Sequence, residues 1–119
     1  MPYLKLRTNT SISKQQSPKL LTQLSQLLVK ETGKPERYVM VELDGDREMI
    51  FSGTDDPLAY VECKSIGLSS VQAKSLSGSI SQLITKEIQV PSERIYIEFS
   101  NCPVEFWGWN GSTFGQHKL

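Results

Sequence analysis

The chain has 119 residues, of which 38% are hydrophobic, and its 13 Lys and Arg residues balance its 13 Asp and Glu residues. This length predicts one domain over residues 1–119. Zero net charge disfavours nucleic-acid and membrane-surface binders, because both classes depend on an excess of basic groups. The sequence has no apolar run of about 18 residues and no recognisable signal peptide, so we expect a cytoplasmic protein.

The cysteine and histidine content predicts neither a metal site nor a cofactor. Cys63 and Cys102 form no CxxC motif and no metal-ligand pattern with the lone His117. In a cytoplasmic protein, both cysteines are expected to be reduced thiols.

Met1 and Pro2 precede a strand-like alternation that extends to Arg7. Proline lacks a backbone N–H and has a fixed φ, so it is tolerated at the first position or the edge of a strand. That is the structural interpretation. A methionine before a small residue is usually removed in cells, and its removal here would leave Pro2 as the amino terminus. The secondary amine of a terminal proline can act as a base or a nucleophile.

A helix is predicted after the first strand, with Ser17 as N-cap and Pro18 at the first helical position. Its apolar stripe consists of Leu20, Leu21, Leu24, Leu27 and Leu28. Gly33 is expected to end the helix. A second strand is predicted at Tyr38–Leu43, and a short strand at Met49–Phe51.

The second half of the chain repeats this order after a hinge at residues 53–57. A strand is predicted at Ala59–Cys63, a helix capped by Ser69 or Ser70, and a strand at Arg94–Phe99. The second helical stripe consists of Ala73, Leu76, Ile80, Leu83 and Ile84.

An internal repeat relates the two halves, since residues 21–43 align with residues 77–99 at a constant offset. It predicts a duplicated β-α-β unit, approximately 1–56 and 57–119. Two such units give an α+β fold, a four-stranded mixed sheet with parallel pairs and two helices on one face. Because no helix is left to cover the other face, we expect partner subunits there.

Four motifs occur in order along the chain: MP at the start, TGKP at 32–35, SIG at 65–67 and GWNGSTF at 108–114. Together they resemble the macrophage migration inhibitory factor family of the tautomerase superfamily. The resemblance implies a homotrimer with sites at subunit interfaces. It also implies keto–enol tautomerisation of small carbonyl acids such as phenylpyruvate, and of dopachrome-like compounds.

The resemblance makes Pro2 the catalytic group. An α-amino group has an ordinary pKa of about 8, and burial or a nearby cation would lower that pKa. Our hypothesis is that Pro2 takes the α-proton of the substrate and returns it to the other end of the enol system. Lys34, the lysine of TGKP, would bind the substrate carboxylate and help to lower the Pro2 pKa; alternatively, it is a helix C-terminal lysine favoured by the macrodipole.

The remaining site residues also follow from the resemblance. Ser65 and Ile66 match a pair whose isoleucine N–H contacts a substrate oxygen; alternatively, they are an ordinary strand end. The aromatic pocket positions are Tyr38, Tyr96, Trp109 and Phe114, with core packing as the alternative for each. The family places Tyr96 in the pocket of a neighbouring subunit, so the site would require the trimer.

Several positions depart from the pattern of animal relatives. Glu98 replaces an asparagine, and its carboxylate would accept a hydrogen bond from substrate or belong to a solvated strand face. Lys64 replaces a histidine, and Trp107 replaces a small aliphatic residue and would narrow the pocket. Leu58 and Val61 stand where animal relatives carry a CxxC motif, so no thiol–disulfide activity is expected.

Two functions from different classes fit these residues. The first is a trimeric tautomerase that uses Pro2. The second is a cytokine-like binding or signalling protein with a residual or vestigial pocket, released from cells without a signal peptide. A purely structural trimer would leave the pairing of Pro2 with Lys34 unexplained.

Overall fold

The structure is a computed structural model that describes residues 1–116, so His117 lies outside the described residues. The strands are β1 (Tyr3–Thr8), β2 (Met40–Asp44), β3 (Ala59–Ile66), β4 (Ile95–Cys102), β5 (Gly108–Trp109) and β6 (Ser112–Thr113). The helices are α1 (Gln16–Thr32) and α2 (Ser70–Ile88). Short 3-10 turns lie at Glu36–Tyr38, Ser92–Arg94 and Val104–Phe106.

The main sheet has four strands in the order β2-β1-β3-β4. The strands within each half pair in parallel, β1 with β2 and β3 with β4, whereas β1 and β3 pair antiparallel. A helix connects each parallel pair, as a β-α-β unit requires. The predicted mixed sheet built from two units is therefore confirmed.

Both helices pack on one face of the sheet. The buried residues of α1 are Leu20, Leu24 and Leu28, and those of α2 are Leu76, Ile80, Ile84 and Ile88. They form one cluster with Leu4 and Leu6 of β1 and Val61 of β3. Fully burying each of these side chains contributes roughly 1.5–3 kcal/mol. The two predicted stripes therefore account for the helix layer except for Ile88, which was not predicted.

The opposite face of the sheet is polar. The Tyr3 hydroxyl donates to Glu42 at 2.8 Å, the Tyr60 hydroxyl donates to Glu98 at 3.2 Å, and Lys5 lies 3.8 Å from Glu42. Water can solvate such a face, so the sheet does not by itself require the covering layer from which we inferred partner subunits. Evidence for a trimer must therefore come from the candidate active site.

The two helices begin differently. Ser69 caps α2, as predicted, in a capping box with Gln72. The prediction that Ser17 caps α1 is wrong, because that helix begins at Gln16. The Gln16 N–H donates to the Ser13 hydroxyl, and the Ser13 N–H donates to the Gln16 side chain, both at 3.0 Å. This reciprocal pair satisfies two backbone donors before the chain reaches Ser17.

The segment between the halves forms no strand at Met49–Phe51, which corrects that prediction; Phe51 and Thr54 form only an isolated bridge. The Arg94 guanidinium shapes the segment instead, by donating to four backbone carbonyls. The acceptors are Phe51, Thr54, Asp56 and Pro57, at 3.0 to 3.2 Å. An arginine fork that holds a loop in this way depends on tertiary contacts that no local pattern shows.

Candidate active site

The amino terminus lies at the start of β1, against an open cavity of about 830 Å³. Pro2 is buried, and its carbonyl accepts a hydrogen bond from the Met40 N–H at 3.0 Å. The cavity is lined by Pro2, Tyr38, Lys64, Trp107, Trp109 and Phe114, among others. The structure thus brings the residue expected to act as base to the edge of a concave site.

Met1 is one of the residues that line this cavity. The residue is only 6% exposed and packs with the buried Ile66 and Phe114. Three partly buried residues complete this Met1 cluster: Tyr38, Val104 and Trp107. An apolar subsite therefore lies next to the Pro2 nitrogen.

The terminal amine lies in an environment that disfavours positive charge. Burial, and secondly the charge of Lys34, lower the pKa of the Met1 amine from 8.0 to about 6. As predicted, Gly33 ends α1. It adopts the left-handed conformation, and Lys34 follows it directly. The Lys34 ammonium lies next to the SIG turn. Its Nζ atom is 4.0 Å from the position that a Cβ atom on Gly67 would have.

The SIG segment, residues 65–67, lies at the end of β3 and close to the Lys34 ammonium. Ser65 is 1% exposed, and its hydroxyl donates to the Ile66 carbonyl at 3.4 Å rather than facing the cavity. Gly67 has φ +74°, a conformation that glycine adopts without strain. The Asn101 side chain accepts from the N–H groups of Gly67 and Leu68 at 3.0 and 3.1 Å. Asn101 was not predicted as a site residue, although the register pairs it with Ser65.

Three aromatic rings form one wall of the cavity. Tyr38 makes edge-to-face contacts with Trp109 and Phe114, at centroid distances of 5.4 and 5.8 Å, and Trp109 stacks on Phe114 at 5.8 Å. The β5–β6 hairpin that positions Trp109 was not predicted. Its turn residues Asn110 and Gly111 have φ of 52° and 83°, as an Asn-Gly hairpin turn requires.

A comparison with protein families identifies the family of this chain. A model of the macrophage migration inhibitory factor family matches residues 1–115. The chain belongs to this family.

Individual relatives and structures support the assignment to the macrophage migration inhibitory factor family. The macrophage migration inhibitory factor of Xenopus tropicalis is 40% identical over 96 residues, covering 80% of this chain and 84% of that protein. The homologue from Brugia malayi is 35% identical over 116 residues, covering 97% and 100%. The crystal structure of the Prochlorococcus marinus homologue superposes with a TM-score of 0.90 at 38% identity, covering 95% of this chain and 99% of that one.

Five of the residues carried over from the macrophage migration inhibitory factor family do not line the Pro2 cavity: Lys34, Ser65, Ile66, Tyr96 and Glu98. Lys34 and Ile66 still lie beside Met1, whereas Tyr96 and Glu98 lie on β4. Tyr96 is 63% exposed on β4, and its ring centroid lies 4.6 Å from that of Phe51. Glu98 points to the polar sheet face, where it accepts from Tyr60. Neither residue lines the cavity, so one chain alone does not complete the expected pocket.

Cations surround the cavity. Lys64 and Arg37 line it, and no Asp or Glu of residues 1–116 does. The Arg37 guanidinium lies 4.8 Å from the centre of the Tyr38 ring. Arg37 was not predicted as a site residue, because its only signal was its position three residues after Lys34. With the Lys34 ammonium nearby, this distribution of charge favours an anionic ligand.

Other kinds of site are absent from the described part of the chain. Within residues 1–116, no three His, Cys, Asp or Glu side chains converge to hold a metal ion. None of the helices in this range is long and apolar enough to cross a membrane. Cys63 and Cys102 are both free, and burial raises the pKa of the Cys63 thiol to about 11, which makes it unreactive.

Proposed function

We propose that this protein is a keto–enol tautomerase of small carbonyl acids such as phenylpyruvate, and that the Pro2 amine, released by removal of Met1, is its general base and acid. The observation that carries the proposal is the position of the amino terminus. A partly buried amine there lies beside Lys34, at the edge of an apolar cavity that cations line. A small carbonyl acid has a carboxylate that the cations would bind and an acidic C–H group that the amine would deprotonate.

The environment of the Met1 amine supports a tuned base. Burial and the Lys34 charge lower the Met1 pKa, and both causes would act on a Pro2 amine at nearly the same place. An amine with a lowered pKa is largely free base at neutral pH. Its conjugate acid can still return a proton, as general acid–base catalysis requires.

The proposed reaction moves one proton. Pro2 removes it from C3 of the keto acid, and the electron pair shifts to the C2 oxygen. Lys34 and the Ile66 N–H stabilise the developing negative charge on the substrate. Return of the proton to the C2 oxygen gives the enol, and the reverse sequence gives the keto form. The aromatic wall excludes water from the reacting atoms.

We propose that a homotrimer completes the site. Tyr96 is largely exposed in the single chain, as expected for a side chain that enters a neighbour's pocket. Met40 and Phe106, which line the Pro2 cavity, are 64% and 80% exposed, so apolar surface is available beside the site for a second subunit. Such an assembly would have three times the 13.4 kDa mass of the chain.

Substitution of Lys34 tests the substrate-binding half of the proposal. Lys34→Ala should lower kcat/KM for phenylpyruvate about 10- to 100-fold, because a charge-assisted hydrogen bond to the carboxylate is lost. The methyl ester of phenylpyruvate lacks that charge, so Lys34→Ala should lower kcat/KM for the ester by a smaller factor. The pKa in the pH–rate profile should also rise, since a cation near the amine has been removed.

The exposed Lys30, in the last turn of α1, provides the matched control. Lys30→Ala removes the same charge four residues earlier in the chain and should change neither the acid-to-ester ratio nor the pH profile. An equal loss on acid and ester in Lys34→Ala would exclude Lys34 from carboxylate binding.

A further inference from the structure

Met1 forms part of the cavity wall and is buried against its apolar neighbours. Its unbranched side chain contacts Ile66 and Phe114, and little of it remains exposed. Removal of Met1, on which the proposed function rests, would leave these apolar surfaces facing an empty volume. Apolar surface in such a volume favours an apolar occupant over water.

The covalent geometry of Met1 shows which substrate atoms would replace it. The Met1 carbonyl carbon is bonded to the Pro2 nitrogen at about 1.3 Å, whereas a carbon that loses its proton to that nitrogen sits about 3–3.5 Å away. The Met1 Cα is about 2.4 Å from that nitrogen, so the reacting C3 falls about 1 Å beyond the Met1 Cα position, in the direction of the side chain. The Met1 amino group beside Lys34 marks the direction of the keto acid carboxylate, and the Met1 side chain marks the direction of the substituent on C3.

We infer that the Met1 cluster is a substrate subsite for an unbranched apolar chain, so that the enzyme acts on linear 2-oxo acids with about four chain atoms beyond C3. Methionine has four side-chain atoms beyond Cα. The corresponding substrates are 2-oxoheptanoate and its thioether analogue 5-(methylthio)-2-oxopentanoate. Trp107 belongs to the cluster, and its ring borders the space on one side.

The cations of the cavity raise a competing possibility. Lys64 and Arg37 also line it, and a substrate with a second carboxylate would suit them. The subsite itself argues against this alternative. The side chains packed around Met1 are Ile66, Phe114, Tyr38, Val104 and Trp107, none of which is charged, and a carboxylate placed among them would lose its hydration.

The experiment measures exchange of the C3 protons for deuterium in D2O, by proton NMR, with protein whose terminus is verified as Pro2. The substrates form a series from pyruvate to 2-oxononanoate. We expect kcat/KM for exchange to rise about fourfold for each methylene up to 2-oxoheptanoate, and then to level off or fall. The thioether analogue should equal 2-oxoheptanoate, and 2-oxoadipate, which is one carbon shorter and ends in a second carboxylate, should be no better than pyruvate.

A variant tests the location of the subsite. Val104→Phe adds bulk to the Met1 cluster and should lower the ratio of 2-oxoheptanoate to pyruvate exchange. Val71→Phe, at a 76% exposed position on α2, is the matched control and should leave the ratio unchanged. If Val104→Phe does not fold, the substrate series on the unaltered protein still decides the question.

The possible results separate this inference from the proposed function. A flat series, or faster exchange of 2-oxoadipate than of 2-oxoheptanoate, would overturn the apolar-chain subsite. In that case, unimpaired phenylpyruvate turnover would leave the tautomerase function standing. Failure of both exchange and phenylpyruvate turnover would overturn both.

Discussion

Pro2→Gly should lower kcat/KM for phenylpyruvate by about a hundredfold, since positioned general acid–base groups contribute roughly 10²–10⁴-fold. Glycine keeps a terminal amine, so a trace of activity should survive. It loses the ring that fixes φ and holds the nitrogen against the cavity. The nitrogen would then lie less often in line with the substrate proton, and small misplacements of a reacting group are costly.

Pro57→Gly is the control for this substitution. Pro57 is exposed and precedes β3, whereas the cavity lies near the other end of that strand. Its activity should stay close to that of the unaltered protein. Mass spectrometry of each variant confirms that residue 2 is the terminus, and circular dichroism confirms the fold. Full activity of a correctly processed Pro2→Gly variant would contradict the amine-base mechanism.

Subunit mixing should restore activity between two defective variants if Tyr96 enters a neighbour's site. Tyr96→Ala alone should lower kcat/KM for phenylpyruvate at least about tenfold, because it removes one apolar wall of the pocket. When Pro2→Gly and Tyr96→Ala chains are unfolded together and refolded as mixed trimers, a site regains both groups if its own chain carries Pro2 and its neighbour carries Tyr96. Random assembly makes about a quarter of the sites intact.

A second mixture controls for nonspecific recovery. Lys34 lies beside the amino terminus of its own chain, so the Pro2 and Lys34 of one site come from the same chain. A mixture of Pro2→Gly and Lys34→Ala chains therefore contains no intact site and should show no gain in activity. If the Pro2→Gly and Tyr96→Ala mixture only averages its components, Tyr96 does not complete a neighbour's site. The proposed trimeric site would then be wrong in that respect.

The fold was predictable because its main signals are periodic. Leucines and isoleucines at helical spacing are buried in both helices, and the offset between the halves implied the two parallel strand pairs. Gly33 ended α1 and Ser69 capped α2 for local steric and hydrogen-bonding reasons that short segments carry themselves. The Asn-Gly signal for the hairpin was also present, although it was not used.

The features that sequence reasoning missed depend on contacts between distant segments. Arg94 holds a loop about 40 residues earlier in the chain, and Asn101 caps a turn that it meets only through strand pairing. The resemblance named Tyr96 and Pro2 together, but Tyr96 lies near the start of β4, whereas the last residues of that strand line the Pro2 cavity. The packing of Met1 against Ile66 and Phe114 could be seen only in three dimensions.

The most direct test of the central claim is a phenylpyruvate enol-to-keto assay at pH 5 to 8, on protein whose amino terminus has been verified as Pro2. Because the unprotonated amine is the base, kcat/KM should rise with pH through a single pKa that lies below the ordinary value of about 8. Absence of turnover, with Pro2 confirmed as the terminus, would contradict the account and favour a binding or signalling role for the same pocket.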